Sequence, residues 1–392
     1  MKLNKINKNK ITNKKVLLRV DFNVSILNSK VKEDFKIRQV IETIDFLLKN
    51  NCRIILLSHL GQPKSGFEKK YSMKPVALHL SKILARKVEF LPFDKYSKFQ
   101  DIKKRIEADI KKSDKKLFLL DNIRFFDGEE NDSLSLGKSL AGLADVYIND
   151  AFAVSHRANS SVSAVRKYIP SYAGFLLEKE LENLNKILNP KKPLVLIMGG
   201  AKIASKAPII ERLYDKASFV LLGGALVNNF YLAKKYNIGK SLYDPGSESL
   251  IKKFLNLKKI ILPVDLIVAS KNNNDKSIKK IKKVTEVCSD ESIYDIGPET
   301  ISLFAKYIKK AKTIVWNGPM GKFEENGFKR GTVAIASEVA SLSKGKAFGV
   351  VGGGETVEAL NLSGMRSYID WVSTGGGAML DYLSGKKMPG ID

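Results

Sequence analysis

Short runs of consecutive apolar residues alternate along this chain with stretches in which apolar positions recur every three or four residues. Val16–Phe22, Arg53–Ser58, Leu117–Leu120 and Val146–Ile148 read as buried strands. Ile37–Leu48 reads as an amphipathic helix, with Ile37, Val40, Ile41, Ile44, Leu47 and Leu48 on its apolar face. Pro75–Leu84 is a helix that opens on proline, as a first turn tolerates, and another helical stretch lies near Ser133–Leu143. Gly174–Leu188 is a further helix, closed by Asn189-Pro190. Beyond it the alternation restarts, with strands at Leu194–Met198, Phe219–Leu222, Ile260–Leu262, Ile314–Trp316 and Ala347–Val351, and an exposed turn at Asn272–Asp275. Apolar strands alternating with amphipathic helices imply parallel β-α-β units. The expectation is an α/β protein of two doubly wound, Rossmann-like parallel-sheet domains joined by a helix, with a cleft between them. Domain boundaries are expected at residues 1–173, a linker helix or hinge at 174–190, and a second domain at 191–379.

Composition changes this picture mainly by division of labour. A chain of 392 residues exceeds one ordinary core, which agrees with two domains. No apolar run approaches the ~18 residues that span a bilayer, and the basic start MKLNKINKNK lacks the apolar core of a secretory signal. Cys52 and Cys288 form neither a disulfide framework nor a ligand cluster, which fits a reducing cytoplasm. Three histidines disfavour a multi-histidine metal site. The net charge of +26 could serve nucleic acid, a membrane surface or anionic metabolites. The lysines are scattered, with few neighbouring aromatics, so a solvated basic surface is favoured over a nucleic-acid groove. Eight of the eleven arginines precede residue 170, whereas 23 of the 28 glycines follow it. Arginine forks grip small anions, and glycine turns let backbone amides approach phosphates. The two halves therefore suit different ligands.

In open parallel sheets, ligands gather beyond the carboxyl ends of the strands. Asp21 and Asn23, then Ser58-His59-Leu60-Gly61, then Asn122 and Arg124, then Asn149, Asp150, His156 and Arg157 each follow a strand, and Arg38 opens a helix. Their convergence suits a small molecule carrying carboxylate and phosphate. In the second half the strand ends carry Gly199-Gly200, Gly223-Gly224, Gly297-Pro298, Asn317–Gly321, Gly352–Gly354 and Gly375–Gly377. Leu194–Lys206 (LVLIMGGAKIASK) reads as strand, glycine turn and helix start, with Lys202 and Lys206 four apart on one helix face. Gly137-Lys138-Ser139 and Gly239-Lys240-Ser241 lack the earlier glycine of a Walker loop, and Val357 breaks a G-x-G-x-x-G at Gly352. A dinucleotide-dependent dehydrogenase is thereby disfavoured.

The chain resembles the phosphoglycerate kinase family along essentially its whole length. The blocks that carry the resemblance run in the family's order: RVDFNV (Arg19–Val24), SHLGQPK (Ser58–Lys64), DNIRFFDGEEND (Asp121–Asp132) and NDAFAVSHRA (Asn149–Ala158). AGFLLEKEL (Ala173–Leu181), GGAKIASK (Gly199–Lys206), DIGPET (Asp295–Thr300), WNGPMGKFE (Trp316–Glu324), GGGET (Gly352–Thr356) and STGGGA (Ser373–Ala378) follow. The resemblance implies a glycolytic phosphotransferase with a carboxyl acceptor, interconverting 3-phosphoglycerate and 1,3-bisphosphoglycerate with ATP/ADP and Mg2+. It implies a 3-phosphoglycerate domain at 1–173 built on Asp21, Asn23, Arg38, His59, Leu60, Gly61, Gln62, Arg124 and Arg157, with the tail at 380–392 packed on it. It implies a nucleotide domain built on Gly200, Ala201, Lys202, Lys206, Gly224, Asn317, Pro319, Glu324, Gly353, Gly354, Glu355 and Thr356. Arg38 and Lys206 would be catalytic and Glu355 the metal ligand. A cytoplasmic monomer that closes about a hinge, with no membrane partner, completes what the resemblance implies.

Six positions depart from the family pattern. Gln62 replaces arginine in the substrate block, Glu355 replaces aspartate at the magnesium position, and Lys322 replaces an apolar residue of the nucleotide cleft. Asn159, Ser25 and Trp371 replace histidine, proline and histidine. A degenerate family member that serves as a basic binding protein is the competing reading, supported by Gln62 and Glu355 and opposed by the retention of Arg38, Arg124, Arg157 and Lys206.

Overall fold

The structure is a computed structural model that describes residues 4–64, 66–93, 98–271 and 277–392. The turn expected at Asn272–Asp275 lies outside the described residues. The chain divides into two compact units, Met1–Glu182 with Lys387–Asp392, and Asn183–Lys386. The division falls inside the helix Phe175–Leu188 rather than on either side of it.

The first unit carries β1 (Asn4–Lys5), β2 (Lys15–Arg19), β3 (Ile26–Leu27), β4 (Lys30–Val31), β5 (Arg53–Leu57), β6 (Glu89–Leu91), β7 (Leu117–Leu120), β8 (Val146–Asn149) and β9 (Ser171–Ala173). β3 and β4 form a small antiparallel hairpin. The other strands make one sheet in the order β1-β9-β8-β2-β5-β7-β6, parallel throughout. Helices cover both faces of such a sheet, so its strands are uninterrupted apolar runs; Val16–Leu18 and Ile54–Leu57 are completely buried. The helix expected over Ile37–Leu48 is two helices, Phe35–Gln39 and Ile41–Lys49, broken at Val40 with φ −99 and ψ −1. Ile37, Val40 and Ile44 stay buried across the break. Hydrophobic spacing survives this local change of backbone and cannot reveal it. Phe99–Lys112, which packs Phe99, Ile102, Ile106 and Ile110 inward at helical spacing, adds a helix the pattern reading left out.

The second unit carries β10 (Leu194–Met198), β11 (Phe219–Leu222), β12 (Ile260–Ile261), β13 (Asp265–Lys271), β14 (Ser277–Lys283), β15 (Ser292–Ile296), β16 (Thr313–Asn317), β17 (Phe348–Gly352) and β18 (Trp371–Val372). Its parallel sheet runs β12-β11-β10-β16-β17-β18. A separate antiparallel sheet, β14-β13-β15, was not expected from the sequence. Its strand β14 is SIKKIKK, too lysine-rich to register as an apolar run. Both parallel sheets are doubly wound. Strand order reverses between β2 and β8 in one and between β10 and β16 in the other, which are the points where such sheets open a crevice. Among the described residues no helix is long and apolar enough to cross a membrane.

The tail divides differently from the expected 380–392 segment. The helix Gly376–Ser384 belongs to the second unit, and Lys387–Asp392 belongs to the first. There Asn149 Nδ2 donates to the Gly390 carbonyl at 2.9 Å, the Gly390 amide donates to Ser155 O at 2.9 Å, and Arg166 holds the Pro389 carbonyl at 2.6 Å.

Candidate functional site

In the first unit, register places Arg19 level with Leu57 of β5 and Asn149 of β8, so the residues that follow these strands share one edge. Asp21 is buried there and accepts from Lys36 Nζ at 2.7 Å and from the Asn23 amide at 3.1 Å. Burial alone would raise its pKa, but the Lys36 ammonium and these hydrogen bonds outweigh it and hold the carboxyl at about 2. Asn23 Oδ1 accepts from the Gly61 amide at 2.9 Å, and Arg124 Nη1 donates to the Gly61 carbonyl at 2.8 Å. Asn122 Nδ2 donates to Leu60 O at 2.6 Å, and its Oδ1 accepts from the Arg124 amide at 3.1 Å. The expected residues Asp21, Asn23, His59, Leu60, Gly61 and Arg124 are thus joined through one loop network.

Arg19 was missed as a site residue by sequence reasoning, although a charge at the end of an apolar strand is itself a signal. It is buried, donating to Ser161 Oγ at 2.8 Å and to the carbonyls of Val20 and Leu57. Its Nη2 lies 3.4 Å from His59 Nδ1, and because a guanidinium can only donate, Nδ1 is the acceptor. Burial pushes the His59 pKa well below the ordinary value; Asp21 opposes this, and Arg19, Arg124 and Lys36 push further down. The imidazole is neutral at pH 7. Burial also lowers Arg124, Glu130 opposes it, and Arg157 and Arg19 add repulsion. Gathered like charges of this kind mark an anion site. Arg157 is exposed, with Nε 3.4 Å from His156 Nε2, and Gln62 is exposed.

Arg38 is placed otherwise than expected. Its Nε donates to Asp34 Oδ1 at 2.9 Å, and Asp34 Oδ2 lies 3.0 Å from His79 Nε2. Its side chain is 57% exposed. The side chain follows the carboxylate one helical turn earlier, and in this structure it pairs with Asp34.

In the second unit, Met198 of β10, Asn317 of β16 and Gly352 of β17 lie level, so three strands end together and each turns through glycine. The turns are tied to one another. Gly199 N donates to Asn317 O at 2.9 Å, Gly200 N to Pro319 O at 2.9 Å and Gly224 N to Met320 O at 3.0 Å. The Gly199 and Gly200 N–H groups are thus bound by neighbouring turns. Asn317 Nδ2 donates to Gly352 O at 2.6 Å, and Thr356 Oγ1 accepts from Gly318 N at 2.7 Å. Gly353, at φ +106, leads into the helix Gly354–Ser363, which has no side-chain cap. Its first-turn amides at Gly354, Glu355 and Thr356 have no acceptor within the helix and face the anion-attracting end of its dipole.

Lys202 and Lys206 do not share a helix face. A 3-10 turn, Ile203–Ser205, separates them, and the α-helix Ala207–Leu213 starts only after Lys206, with proline in its first turn. At three residues per turn, positions four apart differ by about 120°. Lys206 is half-buried; burial lowers its pKa and the Glu355 carboxylate pulls it back up, which places these two charges within each other's field. Lys202 is exposed. A cavity of about 410 Å³ opens beside Gly200, Gly224 and Pro319 and extends to Leu242, Tyr294 and Glu324. Its size is that of a small-molecule site. Tyr294 stacks on Phe328 with centroids 4.4 Å apart. Lys322, another lining residue, pairs with Glu325 at 2.5 Å, and its Nζ lies 5.7 Å from the Tyr294 ring centroid. Asp295, also in the lining, is raised to about 7 by burial, against hydrogen bonds from the Gly331 and Ile296 amides. Glu355 is an exposed carboxylate on the same lining, and among the described residues no group of three His, Cys, Asp or Glu could cage a metal. A single carboxylate on the cavity lining fits a magnesium ion that keeps most of its ligands from phosphate oxygens and water.

The phosphoglycerate kinase family model matches residues 6–386, a span that contains both of these sites. The chain belongs to the phosphoglycerate kinase family. Phosphoglycerate kinase of Finegoldia magna is 42% identical over 388 residues, 97% of this chain and 96% of that protein. The phosphoglycerate kinase of Desulfosudis oleivorans is 43% identical over 389 residues, with the same coverage. The solved phosphoglycerate kinase of Coxiella burnetii superposes with a TM-score of 0.81 at 38% identity, covering 97% of this chain and 96% of that one. That of Pyrococcus horikoshii gives 0.83 at 27% identity, covering 99% and 97%. Within this chain, the cation network and the glycine cradle each lie at a sheet's switch point, in different units.

Proposed function

We propose that this protein transfers a phosphoryl group reversibly between ATP and the carboxylate of 3-phosphoglycerate, forming ADP and 1,3-bisphosphoglycerate, a step of glycolysis. The observation that carries this reading is the family match over residues 6–386, whose span includes both charged sites. Asp21, Asn23, Arg38, His59, Leu60, Gly61, Gln62, Arg124 and Arg157 are assigned to the glycerate and its phosphate, with Arg38 and Lys206 as the catalytic cations. The pocket beside Tyr294 takes the nucleoside, with Glu324 on the ribose. Gly200, Ala201, Lys202, Gly224, Asn317 and Pro319 shape the phosphate end, and Lys206 with the helix start at Gly353–Thr356 meets the phosphates themselves.

A carboxylate oxygen attacks the terminal phosphorus in line as the bond to the leaving ADP oxygen breaks, so no side-chain intermediate is required. The work of the residues is to align the two substrates, exclude water and neutralise charge on the group in flight. Glu355 would help hold a magnesium ion, which when bound would supply part of that neutralisation. The reaction needs both substrates' reacting ends to meet, so the reading includes closure about the helix Phe175–Leu188. A cytoplasmic monomer belongs to the same proposal.

The test is direct. Purified protein is mixed with magnesium, ATP and 3-phosphoglycerate, and the acyl phosphate formed is coupled to a dehydrogenase. Turnover is expected. Folded protein that yields no acyl phosphate overturns the reading.

A further inference from the structure

Tyr294 sits where β15 breaks its regular pairing with β13. Ile293 lies opposite Val268 and Asp295 opposite Ile267, so Tyr294 is the extra residue of a β-bulge. A bulge re-aims one side chain out of the strand's alternation, and bulges recur beside binding sites. The Tyr294 carbonyl accepts from the Lys322 amide at 2.7 Å, which ties the bulge to the loop after β16. Phe328, buried and outside the cavity lining, stacks on the Tyr294 ring with centroids 4.4 Å apart and planes 19° apart. Tyr294 itself is part-buried and lines the cavity of about 410 Å³. Resting on the function proposed above, we infer that the Tyr294 ring is the platform on which the nucleotide base stacks, and that it sets a preference for purine over pyrimidine bases.

The surroundings fit this role. A ring backed on one face by a buried aromatic is fixed in orientation before a ligand arrives, so stacking on it costs little ordering. Lys279 Nζ lies 5.1 Å from the centroid of Phe328 and adds a cation–π contact to the backing ring. The lining also includes Ala225, Val227, Leu242 and Met320, and Leu242 is 64% exposed. An apolar slot with one aromatic wall suits a flat heteroaromatic ring. The polar lining groups beside the bulge are engaged: Asp295 holds the Gly331 and Ile296 amides, and Lys322 pairs with Glu325. The base is therefore held chiefly by its face, and a purine offers more face than a pyrimidine.

The experiment compares Tyr294→Phe, Tyr294→Leu and Tyr294→Ala in the full-length protein. Calorimetry measures binding of ATP, CTP and inorganic tripolyphosphate, each with magnesium. Loss of base stacking predicts that Tyr294→Ala weakens ATP binding by at least about fivefold. Tyr294→Phe should stay within about twofold of the wild type. Tyr294→Leu, which fills space without a π face, should lose about threefold, and its ATP-over-CTP preference should shrink. Tripolyphosphate affinity should stay within about twofold in every variant, because it has no base. Tyr294→Leu binding ATP as tightly as Tyr294→Phe, or tripolyphosphate weakening in step with ATP, overturns the assignment. If Tyr294→Ala does not fold, the order of Tyr294→Phe and Tyr294→Leu decides in the same way. Wild-type protein that binds ATP without forming acyl phosphate defeats the functional reading alone, because ATP binding still reports on Tyr294.

Discussion

Lys206 is the residue whose surroundings differ most from those of an ordinary surface lysine. Burial disfavours its ammonium and lowers its pKa, and the Glu355 carboxylate partly offsets this. A cation desolvated in this way interacts strongly with charge that develops nearby, and only weakly benefits a ligand that is already screened by water. Lys206→Ala is therefore expected to lower kcat by about a hundredfold or more while changing ATP affinity by less than about tenfold. Pre-steady-state rates beside equilibrium ATP binding check this, and equal losses in both would contradict a role confined to the transition state. At this scale the sequence was legible for Asp21, Asn23, His59, Gly61 and Arg124, which follow strands and so had to share an edge. It did not reveal the pairing of Arg38 with Asp34, because residue type and spacing from a motif do not say which side of a short helix faces the loops. Lys36 and Arg19 escaped notice for the same reason: their roles are contacts with residues distant in sequence.

Three strand ends that finish level force their turns into contact, and this explains the glycines better than phosphate approach does. A Cβ on Gly318 would run into the Gly199 carbonyl, and the backbone there is at φ +95, which disfavours any other residue. Strain of about 1–3 kcal/mol and overpacking of similar size predict that Gly318→Ala destabilises the second unit by roughly 2–4 kcal/mol. Both tryptophans, Trp316 and Trp371, lie in that unit, so urea unfolding followed by tryptophan fluorescence measures it. An unchanged midpoint would mean that the turns separate easily. The alternation of parallel strands and helices was readable because burial on both faces writes itself as apolar runs. The antiparallel sheet was not, since its hydrogen bonds join segments such as β14 whose lysines dominate the hydropathy.

Over the whole molecule a net charge of +26 sets a positive field for both anionic substrates. The field reaches about 30 Å at 10 mM salt but only about 8 Å at 150 mM. The expectation is a fall of at least about threefold in kcat/KM for 3-phosphoglycerate as salt rises across that range, with a smaller change in kcat. Steady-state rates in a phosphate-free buffer check it; a flat profile would show that only the local cations attract the substrate. Such a field needs no particular arrangement of lysines, and composition alone determines it. The sequence likewise determined the two parallel sheets, their glycine and arginine bias and the strand ends where ligands belong, because apolar periodicity and strand-to-turn order are local properties of the chain. Tertiary structure alone decided which cation on Phe35–Gln39 meets Asp21, why the Gly199, Gly200 and Gly224 amides are occupied, and that Lys206 lies in the field of Glu355. Each of these depends on register between strands or on the rotation of a helix, and those are set by packing between segments far apart in the chain.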